Sequence, residues 1–220
     1  LEDPIEYNIA SINQSQVFPE IGYTFASGLR SILRQDPDVI MVGEIRDAET
    51  AGLAIQAALT GHLVFSTIHT NTAIGVITRL LDMGIEPYLI APTIIATIGQ
   101  RLVRSIAEGC GKEMEMDPGM KMMLETEFKD LPVEFKKDLP LSNPFFTAVG
   151  SKDNPSGLKG RLPVFEVLTI DNDIQAAIIG RKSEEDIWKL ARAKGMTTLK
   201  EDAMLKCLNK KIPFSEIATL

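Results

Sequence analysis

Cysteine is almost absent from this sequence: Cys110 and Cys207 are the only two, and they lie far apart. Neither a disulfide framework nor a four-thiolate metal site can be assembled from them, a pattern that fits a reducing compartment. Long apolar runs are missing as well, since none approaches the roughly 18 residues that cross a bilayer. A basic surplus is also lacking. The 220 residues hold 23 Lys and Arg against 30 Asp and Glu, a formal net charge of −7, which argues against a general grip on nucleic acid. Nor is there a Gly-x-x-x-x-Gly-Lys-Ser/Thr loop, whose backbone amides cradle nucleotide phosphates. The nearest imitation, Gly180-Arg181-Lys182-Ser183, has Gln175 where the first glycine belongs. It reads instead as a turn that starts a helix, with Ser183 as N-cap. The chain opens at Leu1-Glu2-Asp3-Pro4 without an initiator Met or a signal peptide, so we expect a fragment of a longer protein.

What is present describes an ordinary globular chain: 45% hydrophobic and 24% charged residues, enough for one sizeable domain or one domain with a small satellite. Residues 1–106 have α/β character. The short apolar runs at 39–42 and 63–66 predict buried strands. Between them residues 47–60 are Ala-rich with apolar residues at helical spacing, and Gly61 is a plausible stop. A helix is predicted over 24–34, capped by Thr24 and halted by Asp36-Pro37, with further helices over 73–81 and 89–102. Strand alternating with helix implies a parallel sheet. Residues 107–160, rich in Met, Lys, Glu, Pro and Gly, predict a small, loosely packed insert. Residues 161–220 predict a short strand at 164–168 and then helices, including 184–193 and 199–210.

Three polar clusters carry the chemistry. In Asp38-Val-Ile-Met-Val-Gly-Glu44-Ile-Arg46-Asp47 an apolar strand delivers an acidic residue at its C-terminal end, where open α/β sheets bind ligands. A carboxylate there can orient a water or hold a nucleotide's metal. Standing alone, such a run reads more readily as a buried strand closing in a solvated turn. A second strand ends the same way, however: Gly61-His62-Leu-Val-Phe-Ser66-Thr67-Ile68-His69-Thr70-Asn71 sets Thr67, His69 and Asn71 just past an apolar run. Hydroxyl, imidazole and amide groups together suit a phosphate sensor. The third cluster, Glu2-Asp3-Pro4-Ile5-Glu6, holds three carboxylates in five residues. Mg²⁺ favours such oxygens while keeping its waters; the other reading is a charged turn. Arg30 and Arg34, four apart on one predicted helix face, either fork onto phosphate oxygens or pair with Asp36, Asp38 or a neighbouring subunit's acids.

These residues, in this order, resemble the secretion ATPase superfamily, and within it the motors of type IV pilus assembly and type II secretion. Residues 1–7 look like its Asp box, 28–47 its Walker B segment and 61–71 its His box. Asp82-Met-Gly-Ile-Glu-Pro87 and Gln100-Arg-Leu-Val-Arg104 match too, as do Lys159-Gly-Arg-Leu-Pro-Val-Phe-Glu-Val-Leu168 and Gly195-Met-Thr-Thr-Leu-Lys-Glu-Asp202. The Gly-Arg and Phe-Glu-Val-Leu tail is similar to assembly and secretion motors and less like retraction motors.

The resemblance implies a RecA-like, mostly parallel sheet flanked by helices. It divides the chain into an ATPase core at 1–106, a degenerate zinc-motif insert at 107–160 and a mainly helical subdomain at 161–220. It implies that Glu44 activates the attacking water, that Glu6 supports metal and water, and that His69 reads the nucleotide state. Glu2 and Asp3 lie beside Glu6 in the Asp box, and Arg30, Arg34 and Thr67, read from the residues alone, are the further candidates for contact with ATP and Mg²⁺. Its further implications are a cytoplasmic homohexamer at the inner face of the membrane, a polytopic inner-membrane platform protein as partner, and no nucleic acid. Many relatives carry a zinc site built from two Cys-x-x-Cys pairs. Here the four places hold Ala107, Cys110, Ser151 and Asn154, so no zinc is expected. Without its phosphate loop the chain is expected to be inactive by itself. The rival readings are a non-catalytic, regulatory subunit of such a ring and a retraction-type motor.

Overall fold

A computed structural model describes residues 1–220. Contacts group them into two compact units: residues 1–95 with 170–187, and residues 96–169 with 188–220. No helix is long and apolar enough to cross a membrane.

In the first unit, α1 (Phe25–Ile32) begins at a reciprocal cap, with Thr24 accepting from Ser27 N while Ser27 accepts from Thr24 N. That arrangement satisfies two donors the first helical turn leaves bare. A short 3₁₀ turn (Leu33–Gln35) ends at Asp36, which takes the left-handed conformation before Pro37. The chain then enters β1 (Val39–Val42), and α2 (Ala48–Leu59) follows from an Asp47 N-cap. Past α2, Gly61 turns at φ 103°, a conformation that favours glycine. It leads into β2 (Leu63–Ser66), which pairs with β1 in parallel, Val39 opposite Leu63 and Val42 opposite Ser66. Ile40 and Val42 point into a core shared with Leu1, Val17, Leu29, Ala54 and Ala57. Val39, Met41, Leu63 and Phe65 remain exposed. The continuous apolar runs predicted burial on both faces, whereas helices of this unit cover only one.

Helices α3 (Gly75–Asp82) and α4 (Pro87–Thr93) follow. The helix predicted over 89–102 is formed only over its first residues, which belong to α4, and it stops at Thr93. Pro92 has no amide hydrogen for the helical ladder, and Ile94, Ile95, Thr97 and Ile98 are β-branched residues that favour a strand. Residues from Ala96 onward are strand instead. Helix α7 (Asn172–Ile179) completes this unit's packing against α4. After it Ser183 caps the chain as predicted, accepting from Asp186 N at 3.2 Å, at the start of α8 (Glu184–Ala193).

The second unit is built on a long antiparallel ribbon, β3 (Ala96–Ile106) against β6 (Leu158–Thr169). A smaller antiparallel pair joins β4 (Gly111–Glu113) to β5 (Phe146–Ala148). The strands are therefore mixed, one parallel pair and two antiparallel pairs. The mostly parallel sheet of the sequence reading is corrected on that point. An α/β arrangement with flanking helices and a helical C-terminal part stands.

The stretch 107–160 is better packed than its composition suggests. Helices α5 (Pro118–Glu127) and α6 (Val133–Lys136) lie within it. Leu124, Phe128, Leu131 and Phe145 are buried in one core with Val103, Val164, Met204 and Leu208. Each short element supplies one or two apolar residues, so no single period shows in the sequence. Helix α9 (Leu199–Leu208) carries Ala203, Met204 and Cys207 into this core from a capping box between Thr198 and Glu201.

Candidate functional site

Three segments of the first unit meet at the C-terminal ends of β1 and β2. Leu1 runs beside β1: its backbone nitrogen donates to Met41 O at 2.8 Å, and Gly43 N donates to Leu1 O at 2.8 Å. This approach leaves little room for a side chain at position 43. A Cβ on Gly43 would stand 3.0 Å from Leu1 O and 3.4 Å from both Glu2 Cα and the Phe25 ring. Past the paired strands, Ile45 N donates to Thr67 O at 2.9 Å, and the Thr67 hydroxyl donates to Gly43 O at 2.6 Å. The two strand ends are thus tied together just where Glu44 and His69 emerge.

The result is an open cleft of about 320 Å³ lined by Glu2, Asp3, Pro4, Phe25, Met41, Gly43, Glu44, Arg46, Thr67 and His69. Glu44 is only 8% exposed. Arg46 donates its Nε–H to Glu44 Oε2 at 2.5 Å, and His69 Nε2 lies 3.5 Å from the same oxygen. A buried charge requires such partners. The His69 side chain is otherwise open to solvent, 84% exposed. On the far side Glu2 accepts from Gln14 Nε2 at 2.7 Å.

Of the residues singled out in the sequence, Glu2, Asp3, Glu44, Thr67 and His69 share this cleft. Glu6, Arg30 and Arg34 do not line it. Glu6 is exposed beyond Pro4. Arg30 forms an exposed ion pair with Glu49 at the start of α2, an acid the sequence had not singled out as its partner. Arg34 is exposed in the 3₁₀ turn. Thr67 lines the cleft while its hydroxyl donates to Gly43 O, a bond that ties the two strand ends together. Arg46 was missed as a site residue. The signal was available: in extended backbone residues i and i+2 share a face, which places Arg46 with Glu44.

Chemically, the cleft offers three carboxylates, one imidazole and one guanidinium. Mg²⁺ needs one or two carboxylates and completes its shell with water and phosphate oxygens. Glu2, Asp3 and Glu44 are the right donors for an ion of that kind. No three acidic, His or Cys side chains converge tightly enough to cage a metal by themselves.

An acidic cleft at the ends of neighbouring parallel strands defines an α/β domain of the ligand-at-strand-end class. More particularly, the chain belongs to the family described as Type II/IV secretion system protein, whose model matches residues 1–219. It is 44% identical over 218 residues to the type IV pilus assembly ATPase PilB of Thermus thermophilus, covering 99% of this chain and 24% of that protein. It is 47% identical over 194 residues to the type II secretion system ATPase E of Vibrio cholerae, covering 88% of this chain and 36% of that one. The chain thus spans well under half the length of these relatives. Among solved structures it resembles the pilus retraction motor PilT with bound ADP, with a TM-score of 0.66 and 27% identity over 99% of this chain and 50% of that one. The Legionella pneumophila ATPase DotB shares the fold, with a TM-score of 0.62 and 24% identity, over 99% of this chain and 49% of that one.

Proposed function

We propose that this chain is the C-terminal part of a RecA-like motor that hydrolyses ATP to drive type IV pilus assembly or type II secretion. The observation that carries the reading is Glu44: a buried carboxylate at a parallel strand's C-terminal end, within 3.5 Å of His69 and facing an open cleft. Relatives named as pilus assembly and type II secretion ATPases support the process.

In this reading Glu44 accepts a hydrogen bond from a water and aims its lone pair at the γ-phosphorus of ATP. The new P–O bond forms as the bond to the β-bridging oxygen breaks, ADP leaves with that electron pair, and the proton of the attacking water passes to the Glu44 carboxylate. His69, exposed beside Glu44, reports whether the γ-phosphate is present. Glu2 and Asp3 would hold a hydrated Mg²⁺, which would supply positive charge to the phosphates. The phosphate-cradling loop comes from sequence outside residues 1–220. The working form is a homohexamer at the inner face of the cytoplasmic membrane, acting on a polytopic platform protein, with a pilin or pseudopilin as the cargo of that machine.

The test is Glu44→Gln in the full-length protein. It keeps the side chain's shape and removes the base. ATP should still bind, while turnover falls by about 10²- to 10⁴-fold, the usual range for losing a positioned general base. Turnover close to that of the unmodified protein would leave Glu44 as the mere end of a strand.

A further inference from the structure

Behind the cleft, the Gln14 side chain makes three hydrogen bonds that together use both ends of its amide. Nε2 donates to Glu2 Oε1 at 2.7 Å and to Tyr7 O at 2.9 Å, and Oε1 accepts from Ile9 N at 2.7 Å. Two of these bonds close the loop over residues 7–14, in which Tyr7, Ile9 and Ile12 are exposed. The third reaches out of the loop to a carboxylate that lines the cleft. The backbone repeats the connection, since Glu2 N donates to Ser15 O at 3.1 Å and Val17 N donates to Glu2 O at 3.0 Å.

We propose that Gln14 is a positioning residue: it fixes the rotamer of Glu2 so that one carboxylate oxygen is held by the loop and the other stays available to a hydrated divalent cation carried in on phosphates. This rests on the reading of the cleft given above. The physical need is specific. A glutamate has three rotatable bonds, and one beside Asp3 and across from Glu44 is pushed by like charge toward solvent. A neutral donor counters that drift without cancelling the charge the cation requires. Only an amide satisfies all three contacts here, because a carboxylate at position 14 has no proton to give Glu2 or Tyr7 O, and an apolar side chain engages none of them. Because the same amide closes the loop, displacement of residues 7–14 is transmitted directly to Glu2.

The experiment uses the full-length protein with Glu2→Gln, Gln14→Leu, Gln14→Glu and the Glu2→Gln/Gln14→Leu double variant. Two quantities are read: Mn²⁺ affinity in the presence of nucleotide, from electron paramagnetic resonance, and the divalent-ion concentration giving half-maximal ATPase rate. Losing an outer-shell partner of this kind typically weakens metal affinity or activity by about 10- to 100-fold, and we expect Gln14→Leu to fall in that range. Gln14→Glu should be worse than Gln14→Leu, since it sets a second negative charge against Glu2. The double variant should be no worse than Glu2→Gln alone. A loop-closing role gives the opposite order, because Gln14→Glu keeps the acceptor for Ile9 N. That order, or full additivity in the double variant, overturns the proposal. Normal metal affinity in Gln14→Leu with a defect in Glu2→Gln overturns it too. If Glu2→Gln itself changes neither quantity, the reading of the cleft fails instead.

Discussion

Arg46 Nε donates to Glu44 Oε2 at 2.5 Å, and Arg46 is the only Lys or Arg lining a cleft that holds three carboxylates. The guanidinium side chain is 68% exposed even so, and its two terminal nitrogens remain for an incoming anion. Arg46→Gln in the full-length protein should therefore raise the KM for MgATP by about 10-fold or more, as expected for losing a hydrogen bond between charged groups worth roughly 1.5–3 kcal/mol. The change should appear chiefly in KM rather than kcat, because the bond is made in the ground state. Steady-state kinetics decide the matter: an unchanged KM with a reduced kcat would mean that Arg46 serves only to orient Glu44.

Much of this site was legible in the sequence for a simple reason. Val39–Val42 and Leu63–Ser66 are short apolar runs with polar residues directly behind them, and strand ends are where such residues collect. Asp47 and Gly61 punctuate α2 from either side, so that helix could be bounded almost to the residue. Elsewhere local signals misled. The helix predicted over 89–102 ends at Thr93, just past Pro92, and the β-branched residues that follow favour the strand from Ala96 onward. Glu6 has the same chemistry as Glu2 and Asp3, yet the turn at Pro4 separates it from them. Arg30 looked like a phosphate ligand because Glu49, nineteen residues away, is invisible as its partner until α1 and α2 pack. Gln14 carries no motif at all, and its importance arises only from the fold of the loop.

A second prediction concerns the ion pair between Arg192 and Glu201. Both side chains are almost fully buried, 5% and 1% exposed. Arg192 Nη1 also donates to Met196 O at 2.8 Å, and Glu201 Oε2 accepts Thr198 N at 2.9 Å. Arg192→Met should cost about 3–5 kcal/mol of stability, because it strands a buried carboxylate. Adding Glu201→Leu should restore most of the loss, apart from the capping bond to Thr198, worth about 1 kcal/mol. Urea unfolding of the three variants measures both effects; a double variant as unstable as Arg192→Met would refute the explanation.

Cys207 supplies a pH dependence. Burial pushes its thiol up to about 11, with the Phe146 amide, which donates to Sγ at 3.4 Å, pulling more weakly the other way. In the unfolded chain a thiol titrates near 8.5. The unfolded state therefore loses this proton first, and its contribution to stability, full below about pH 8.5, is lost as pH rises through 11. The total is on the order of 3 kcal/mol. Cys207→Ala removes this component while leaving Lys and Tyr titrations in place. Its stability should fall less steeply than that of the unmodified protein between pH 9 and 11, and equal slopes in urea titrations would rule the thiol out as the cause.

The last prediction concerns residues 1–220 on their own. In the cleft Glu2, Asp3 and Glu44 face any polyphosphate, against a single lining guanidinium, Arg46, whose Nε is already bonded to Glu44 and which offers only its terminal nitrogens. Like charges about 4 Å apart repel by roughly 1 kcal/mol in bulk water, and by more where protein displaces solvent. Mg²⁺ offsets part of this, but its two charges do not match those of a triphosphate together with three carboxylates. The missing element is a cradle of backbone amides and a lysine such as a phosphate-binding loop provides. We therefore expect no MgATP binding tighter than about millimolar, an affinity corresponding to roughly −4 kcal/mol, and no turnover. Both should appear when the segment carrying such a loop is supplied, either in the full-length protein or as a separately folded upstream domain. Calorimetry with MgATP on the 220 residues measures this directly. Micromolar binding there would show that the cleft holds phosphate through groups other than a glycine-rich loop, and Arg46 would then be the first residue to substitute.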